Sequence, residues 1–147
     1  MTGQEWHADA VVLTALREEY DAVLQVDAGA VRNSAWERTT SADGLPLAFR
    51  SFEVSAGRPL RVAAAVTADM GATAAIHALL PLVEALRSSC IAMCGVCAGR
   101  PGKTQLGDVV AADRAFYHDT GKQRPGRVQQ DLKTYNCATT GRPPWTG

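Results

Sequence analysis

The fold class is decided by ADAVVLTA (residues 8–15) and, directly after it, LREEYDAVL (residues 16–24). The first segment is short, apolar and rich in valine, which predicts a buried β-strand. In the second, apolar residues recur at helical spacing from Leu16 to Leu24, which predicts a helix. Acidic side chains in its first turn lie where the helix dipole favours negative charge. A strand followed at once by a helix is the repeating unit of an α/β fold.

Strand and helix patterns alternate beyond this unit. Strands are predicted at residues 36–40 and 47–54, joined by a turn at Asp43-Gly44, and again at 60–67, 89–96 and from 107 to 112. A helix is predicted over 71–86, in which Pro81 predicts a kink or an interrupted turn. This order predicts an α/β fold with a mixed, largely buried central sheet flanked by helices. Residues 8–135 are predicted to form the domain, and residues 136–147 an unstructured tail.

Composition and charge exclude several classes of protein. Of the 147 residues, 46% are hydrophobic, and 15 basic side chains balance 15 acidic ones, which excludes a disordered or collagen-like chain. No apolar run approaches the roughly 20 residues that span a bilayer, and the first residues carry no leader pattern, so we predict a cytoplasmic protein without membrane contact. Residues 100–147 carry 8 basic and 4 acidic side chains, but without a cluster or interleaved aromatic residues, so nucleic-acid binding is not predicted.

Motifs that contain cysteine suggest two further kinds of site. CAGRPGKT (residues 97–104) is similar to a phosphate-binding P-loop, but Cys97 replaces the first glycine and a strand, not a helix, is predicted to follow. Cys94 and Cys97 have the spacing of a zinc or redox pair, yet no second pair completes a tetrahedral site. We interpret the cysteines as small buried thiols (Cys90, Cys94, Cys97 and Cys137). His77 is interpreted as packed within an apolar helix. No metal and no cofactor are predicted.

Glu18 and Glu19 allow two interpretations. They are ordinary acids for the first turn of a helix. They also lie just past the carboxyl end of the first predicted strand, where ligands of open α/β sheets bind. A carboxylate there, partly shielded from water, is suited to act as a general base.

Three segments occur in a characteristic order: TALREE (residues 14–19), TADMG (67–71), and CGVCAG (94–99) followed by LGDVV (106–110). Together they resemble the superfamily of purine nucleoside phosphorylases and methylthioadenosine/adenosylhomocysteine nucleosidases. The third segment, a loop of small residues followed by Gly-Asp-Val-Val, is the most specific. Residues 113–119 extend the resemblance, which covers about residues 8–135. It implies a nucleoside phosphorylase-like fold.

The resemblance also implies a site and a reaction. Glu19 matches the carboxylate that activates water for attack on the anomeric carbon. The positions that match the family's substrate-binding loops are Met70, Gly71, Val96, Cys97 and Ala98. Phosphorolytic members usually carry serine at the position of Val96, whose side chain donates no hydrogen bond to phosphate. Hydrolysis of a purine N-glycosidic bond, through an oxocarbenium-like sugar, is therefore predicted in preference to phosphorolysis.

Two motifs of the family do not occur in these residues. The resemblance calls for a Met-Glu pair that holds the ribose hydroxyls and a later Ser-Asp pair that protonates the departing purine, and the sequence contains neither pair. We therefore interpret the chain as a truncated N-terminal portion of the domain, with unpaired apolar surface that favours association. A non-catalytic module that senses nucleosides or nucleotides for a signalling protein is the alternative. The resemblance also permits a homo-oligomer.

Overall fold

The computed structural model describes residues 6–117, 121–124, 127–130 and 133–136, which divide into two compact units with a boundary between Ala98 and Gly99. The described part of the first unit contains five strands and two helices. In chain order they are β1 (Ala10–Thr14), α1 (Arg17–Val23), β2 (Glu37–Thr40), β3 (Pro46–Phe52), β4 (Leu60–Val66), α2 (Ala72–Leu86) and β5 (Cys90–Met93).

The five strands form one mixed sheet in the order β2-β3-β4-β1-β5. β1 pairs in parallel with both β4 and β5, so that Leu13 lies opposite Ala65 on one side and Met93 on the other. β3 runs antiparallel to β2 and β4, and the tight turn predicted at Asp43-Gly44 lies between β2 and β3. The prediction of an α/β fold with a mixed sheet is confirmed.

The two helices cover opposite faces of this sheet. α2 contributes Leu82 and Leu86 to a core that contains Val11, Leu13 and Phe49. α1 contributes Tyr20 to a second cluster on the other face. Between the two helices, the alanines of β4 (residues 63–65) are fully buried, and their small side chains let helix and sheet approach closely on both faces.

β5 corrects the prediction of a largely buried sheet. Among the described residues, β5 pairs only with β1, and all four residues of β5 are exposed, including Ile91 and Met93. The buried part of the sheet consists of β1, β3 and β4. The apolar residues at 89–96 correctly predicted a strand. That strand lies at the edge of the sheet, however, where a side chain is buried only if a helix covers it.

α2 runs without a break from Ala72 to Leu86, so of the two outcomes predicted at Pro81, a kink or an interrupted turn, the interrupted turn is wrong. A proline inside a helix removes the hydrogen bond to the carbonyl four residues earlier, here that of His77. Both residues are exposed, so the carbonyl that proline leaves without its helical partner lies at a solvent-facing part of α2.

The second unit contains two antiparallel strand pairs. β6 (Arg114–Tyr117) pairs with β9 (Lys133–Asn136), and β7 (Gly121–Arg124) pairs with β8 (Arg127–Gln130). None of these strands was predicted, because sequences such as GKQR and RVQQ show no apolar alternation.

The strand predicted at residues 107–112 is wrong. The segment forms no ladder in the structure, and Val109 is 96% exposed, so neither pairing nor burial stabilises an extended strand there. Of the predicted tail, Asn136 ends β9 and residues 137–147 lie outside the described part of the chain. In the described residues, no helix combines the length and apolarity needed to cross a membrane.

Candidate functional site

The candidate site lies where three neighbouring parallel strands end. β4, β1 and β5 run side by side in the same direction, so their carboxyl ends meet at one edge of the sheet. The register continues past the strands, since the N–H of Thr67 donates to the carbonyl of Thr14 at 3.0 Å and the N–H of Cys94 donates to that of Leu13 at 2.9 Å. The three segments that carry the family resemblance therefore begin at the same edge.

Glu19 connects two of these segments. Its Oε2 accepts hydrogen bonds from the N–H groups of Ala15 at 3.1 Å and Leu16 at 3.0 Å. Leu16 is the N-cap of α1 and Glu19 is its N3 residue, so the carboxylate reaches back to the N–H of the N-cap, which is the half of a capping box that a glutamate supplies. Its Oε1 accepts from the N–H of Val96 at 2.9 Å. One carboxylate thus joins the end of β1 to the loop after β5.

These three donors set the charge of Glu19. The N–H of Val96 is the largest influence that lowers the pKa of Glu19 from its ordinary 4.5, and the N–H groups of Leu16 and Ala15 lower it further, against partial burial that raises it. The side chain is therefore a carboxylate at neutral pH. A carboxylate offers about four lone-pair positions, of which backbone donors occupy three, so the remaining position is on Oε1.

Gly95 permits the contact between this loop and Glu19. A Cβ at Gly95 would lie 2.7 Å from Oε1, 3.0 Å from Cδ and 3.1 Å from Oε2 of Glu19. Only glycine lets the backbone approach the carboxylate this closely. Sequence reasoning missed this role, although a glycine at the end of an apolar strand was the available signal.

The loop after β4 is held by its own polar groups. Thr67 is buried, and its Oγ1 donates to the carbonyl of Asp69 at 2.6 Å. Oδ1 of Asp69 in turn accepts from the N–H of Met70 at 2.8 Å. Gly71 is the N-cap of α2 with a φ of 102°, a conformation that side chains with a Cβ rarely adopt. The loop therefore presents the exposed side chain of Met70 from a fixed backbone.

A cavity of about 290 Å³ borders this loop. Its polar lining consists of Asp43, Asp69 and His77, and Leu45 and alanines supply apolar walls. His77 is exposed, so its prediction as a packed residue is wrong. The alanine and leucine residues of α2 pack against the sheet, and His77 lies on the side of the helix that faces solvent. Two carboxylates beside an imidazole can accept and donate hydrogen bonds to a polyhydroxyl ligand.

The loop after β5 is open to solvent. Val96 is 82% exposed, and Cys97 and Ala98 are exposed as well. Cys90 and Cys94 are exposed free thiols like Cys97. The prediction of buried thiols is therefore wrong for these three, because β5 is an edge strand; Cys137 lies outside the described residues.

Neither a metal centre nor a phosphate loop is formed by the described part of the chain. It contains no group of three or more His, Cys, Asp or Glu side chains with metal-binding geometry. Residues 104–113 after the Gly-Lys-Thr sequence form neither a helix nor a strand. A P-loop holds phosphate at a helix N-terminus, and no described helix follows Lys103.

The structure thus brings Glu19 into direct contact with Val96, and places Met70 and Gly71 after the neighbouring strand at the same edge of the sheet. Cys97 and Ala98 follow in the same exposed loop as Val96. No family model, no curated protein and no solved structure matches this chain.

Proposed function

We propose that the carboxyl edge of β4, β1 and β5 binds a purine nucleoside and hydrolyses its N-glycosidic bond, with Glu19 as the base that accepts a proton from water. The observation that carries this proposal is the position of Glu19, a carboxylate held between two loops at the edge where open α/β sheets bind ligands.

The reaction suits a carboxylate of low basicity. The bond between C1′ of the sugar and the purine nitrogen breaks, and its electron pair leaves with the base. The sugar develops positive charge, as in other glycoside cleavages, and the oxygen of water bonds to C1′ while a proton passes to Oε1 of Glu19. Water bonds to the cationic carbon before it loses its proton. A weak base is therefore sufficient to accept that proton. The departing purine takes its proton from solvent, so we expect slow turnover.

Two loops supply the substrate contacts in this proposal. Exposed Met70 would offer an apolar surface to the sugar, and Asp69 and Asp43, which line the cavity beside the loop after β4, would accept hydrogen bonds from its hydroxyl groups. The exposed loop of Val96, Cys97 and Ala98 would approach the base.

A second candidate is nucleoside binding without chemistry, as in a sensing module. The observation that favours it is that backbone N–H groups already occupy three of the lone-pair positions of Glu19 and lower its pKa. Those contacts lower the basicity of the carboxylate. They are typical of a residue that holds the ends of β1 and β5 together.

Titration calorimetry and base release distinguish these proposals. The protein is titrated with inosine, adenosine and methylthioadenosine, and free purine is followed by chromatography with and without phosphate. We expect saturable binding and phosphate-independent release, with Glu19→Gln slowing release by about 100-fold. Glu18→Gln is the matched control, because Glu18 is the adjacent exposed acid, and it should leave release unchanged.

Each other outcome has a definite meaning. Release that requires phosphate would replace hydrolysis by phosphorolysis. Binding without release would establish the sensing function. No binding of any of the three nucleosides would refute both proposals.

A further inference from the structure

Two exposed thiols flank the residue whose backbone binds Glu19. Cys94 and Cys97 are both free and exposed, and Val96 lies between them in the chain. The N–H of Val96 donates to Oε1 of Glu19 at 2.9 Å. Two cysteines separated by two residues have the spacing of a redox pair, and thiols exchange only with disulfides that can reach them. The exposure that corrects the prediction of buried thiols therefore also makes this spacing chemically usable.

The loop after β5 holds the two thiols apart. Residues 94–100 contain no turn and no bend. An extended chain advances by about 3.3 Å per residue, so about 10 Å separates the Cα atoms of Cys94 and Cys97, whereas a disulfide needs about 4.4–6.8 Å. Residues three positions apart in an extended segment also point to opposite sides. A bond between the two sulfur atoms therefore requires the chain to bend between these residues.

The bend must occur at Gly95 and Val96, the two residues between the thiols. Cys94 continues the pairing of the sheet, because its N–H donates to the carbonyl of Leu13 at 2.9 Å. Cys97 makes no hydrogen bond within the described part of the chain. Cys97 is thus the end that can move, and glycine has the widest range of backbone conformations of any residue.

Such a bend is incompatible with the contact to Glu19. Gly95 lies so close to this carboxylate that a Cβ there would be 2.7 Å from Oε1, and the N–H of Val96 donates to the same oxygen. Rotation of the backbone at these two residues turns that N–H away from Oε1. The N–H groups of Ala15 and Leu16 remain on Oε2, because they belong to the start of α1. The disulfide and the bond from Val96 to Glu19 therefore exclude each other.

We propose that Cys94 and Cys97 form a reversible disulfide that releases the loop after β5 from Glu19. The oxidant is a small disulfide such as glutathione disulfide. A thiolate of the pair attacks one of its sulfur atoms, the S–S bond breaks, and one small thiolate leaves with the electron pair. The second protein thiolate then attacks the protein sulfur of the mixed disulfide and displaces the other small thiolate. Two protein thiols are thus oxidised, the small disulfide is reduced to two thiols, and two protons pass from the protein thiols to them.

This disulfide does not depend on nucleoside hydrolysis. It concerns only the thiols, the loop after β5 and the carboxylate of Glu19, and the measurements that test it are made without a nucleoside. Its failure would leave the proposed function as it stands, and failure of the proposed function would leave the disulfide as it stands.

Thiol trapping in glutathione buffers tests the bond. The full chain is equilibrated with reduced and oxidised glutathione, free thiols are alkylated, and peptides are mapped by mass spectrometry without reduction. We expect an intramolecular bond between Cys94 and Cys97 that excess reduced glutathione reverses and that Cys94→Ser or Cys97→Ser abolishes. Cys90→Ser is the matched control, because Cys90 is an exposed free thiol on β5, and it should leave the bond unchanged. Bonds to Cys90 or Cys137, bonds between two chains, or mixed disulfides with glutathione alone would overturn the proposal.

Amide signals test the release of the loop. In ¹H–¹⁵N spectra, oxidation should move the Val96 amide proton upfield, because it loses a charged acceptor, and should move those of Ala15 and Leu16 little. Glu19→Ala removes the competing contact and should raise the equilibrium constant for disulfide formation about tenfold, the lower end for a hydrogen bond to a charged group. Glu18→Ala, the matched control, should leave it unchanged. An unmoved Val96 signal in the oxidised protein, or an equilibrium constant that Glu19→Ala does not raise, would overturn the proposal.

Discussion

Replacing Gly95 by alanine tests whether the contact between Glu19 and Val96 holds the candidate site together. The new Cβ would lie 2.7 Å from Oε1 of Glu19, which is closer than a real Cβ approaches an oxygen. The carboxylate is the end of a flexible side chain, but three backbone donors hold it in place. We expect it to withdraw from Val96 and to keep its bonds to Ala15 and Leu16, because those lie at its own helix N-terminus.

The magnitude follows from two opposing effects. A hydrogen bond to a charged group contributes about 1.5–3 kcal/mol, and at this partly exposed position we take the lower end. Gly95 does not have a positive φ, so alanine restricts the unfolded chain without strain and returns about 0.4–1 kcal/mol. The net expectation for Gly95→Ala is a loss of about 1 kcal/mol in the free energy of unfolding.

Urea unfolding followed by tryptophan fluorescence measures this loss. Trp6 and Trp36 both pack against the sheet, and a Trp145→Phe background makes the signal specific to them. The matched comparison is Gly95→Ala in a Glu19→Ala background, where no carboxylate remains for the Cβ to meet. There we expect alanine at position 95 to stabilise the protein by about 0.4–1 kcal/mol.

The pH dependence gives an independent check. The pKa of Glu19 is lowered in the folded state, so its stabilising effect is present above the ordinary value of 4.5 and is lost as the pH falls through the lowered folded value. The difference between wild type and Gly95→Ala should therefore be full at neutral pH and shrink at acidic pH. An equal loss in both backgrounds, or one that does not change with pH, would refute the role assigned to Glu19.

Other predictions concern the frame around the site. Hydrogen bonds from the side chain of Arg58 and the N–H of Arg61 lower the pKa of Asp9 from 3.8 to about 2. The stability that Asp9 contributes is therefore lost as the pH falls from about 4 to about 2. Asp9→Asn should lower the urea midpoint at neutral pH, and a midpoint difference that persists at about pH 2 would contradict this. Leu82→Ala should cost about 2–5 kcal/mol and Leu80→Ala less than about 1 kcal/mol, because the two side chains are 3% and 66% exposed; equal costs in urea unfolding would refute the packing of α2. Ile76 and Leu80 form an exposed apolar face on α2, being 53% and 66% exposed, and such a face favours association. Leu80→Lys should therefore reduce association measured by sedimentation velocity without lowering the urea midpoint, and unchanged association would show that this face is not responsible.

Local patterns were sufficient to locate most of the first unit. Three segments show their pattern within a few residues: the apolar run before Thr14, the helical spacing from Leu16, and the alanine-rich stretch of α2. Each of these elements buries one face, so its apolar residues recur at a regular spacing that a short stretch of sequence reveals. The polar strands of the second unit have no such periodicity and depend on backbone pairing. Val109 and Val110 have high strand propensity, yet without a paired neighbour that propensity forms no strand.

Local sequence patterns predicted only part of the candidate site, and the family resemblance alone grouped Glu19 with Val96. The position of Glu19 after a strand follows from residues close to it in the chain. Its bond to Val96 joins residues 77 positions apart, and no local pattern encodes a contact of that separation. The exposure of Cys94 and Cys97 depends on β5 lying at the edge of the sheet, which is a property of strand order and not of the segment itself.

The position of Glu19 separates a structural role from a chemical one. In the part of the chain that the structure describes, β5 is paired on one side only, so the loop that follows it has few neighbours there, and the carboxylate of Glu19 is one of them. Glu19→Gln removes the base and weakens the contact together, whereas Gly95→Ala keeps the base and breaks the contact. If base release falls with Glu19→Gln and survives Gly95→Ala, Glu19 acts on water. If nucleoside binding falls equally in both variants, Glu19 acts by holding the loop, and the sensing function follows.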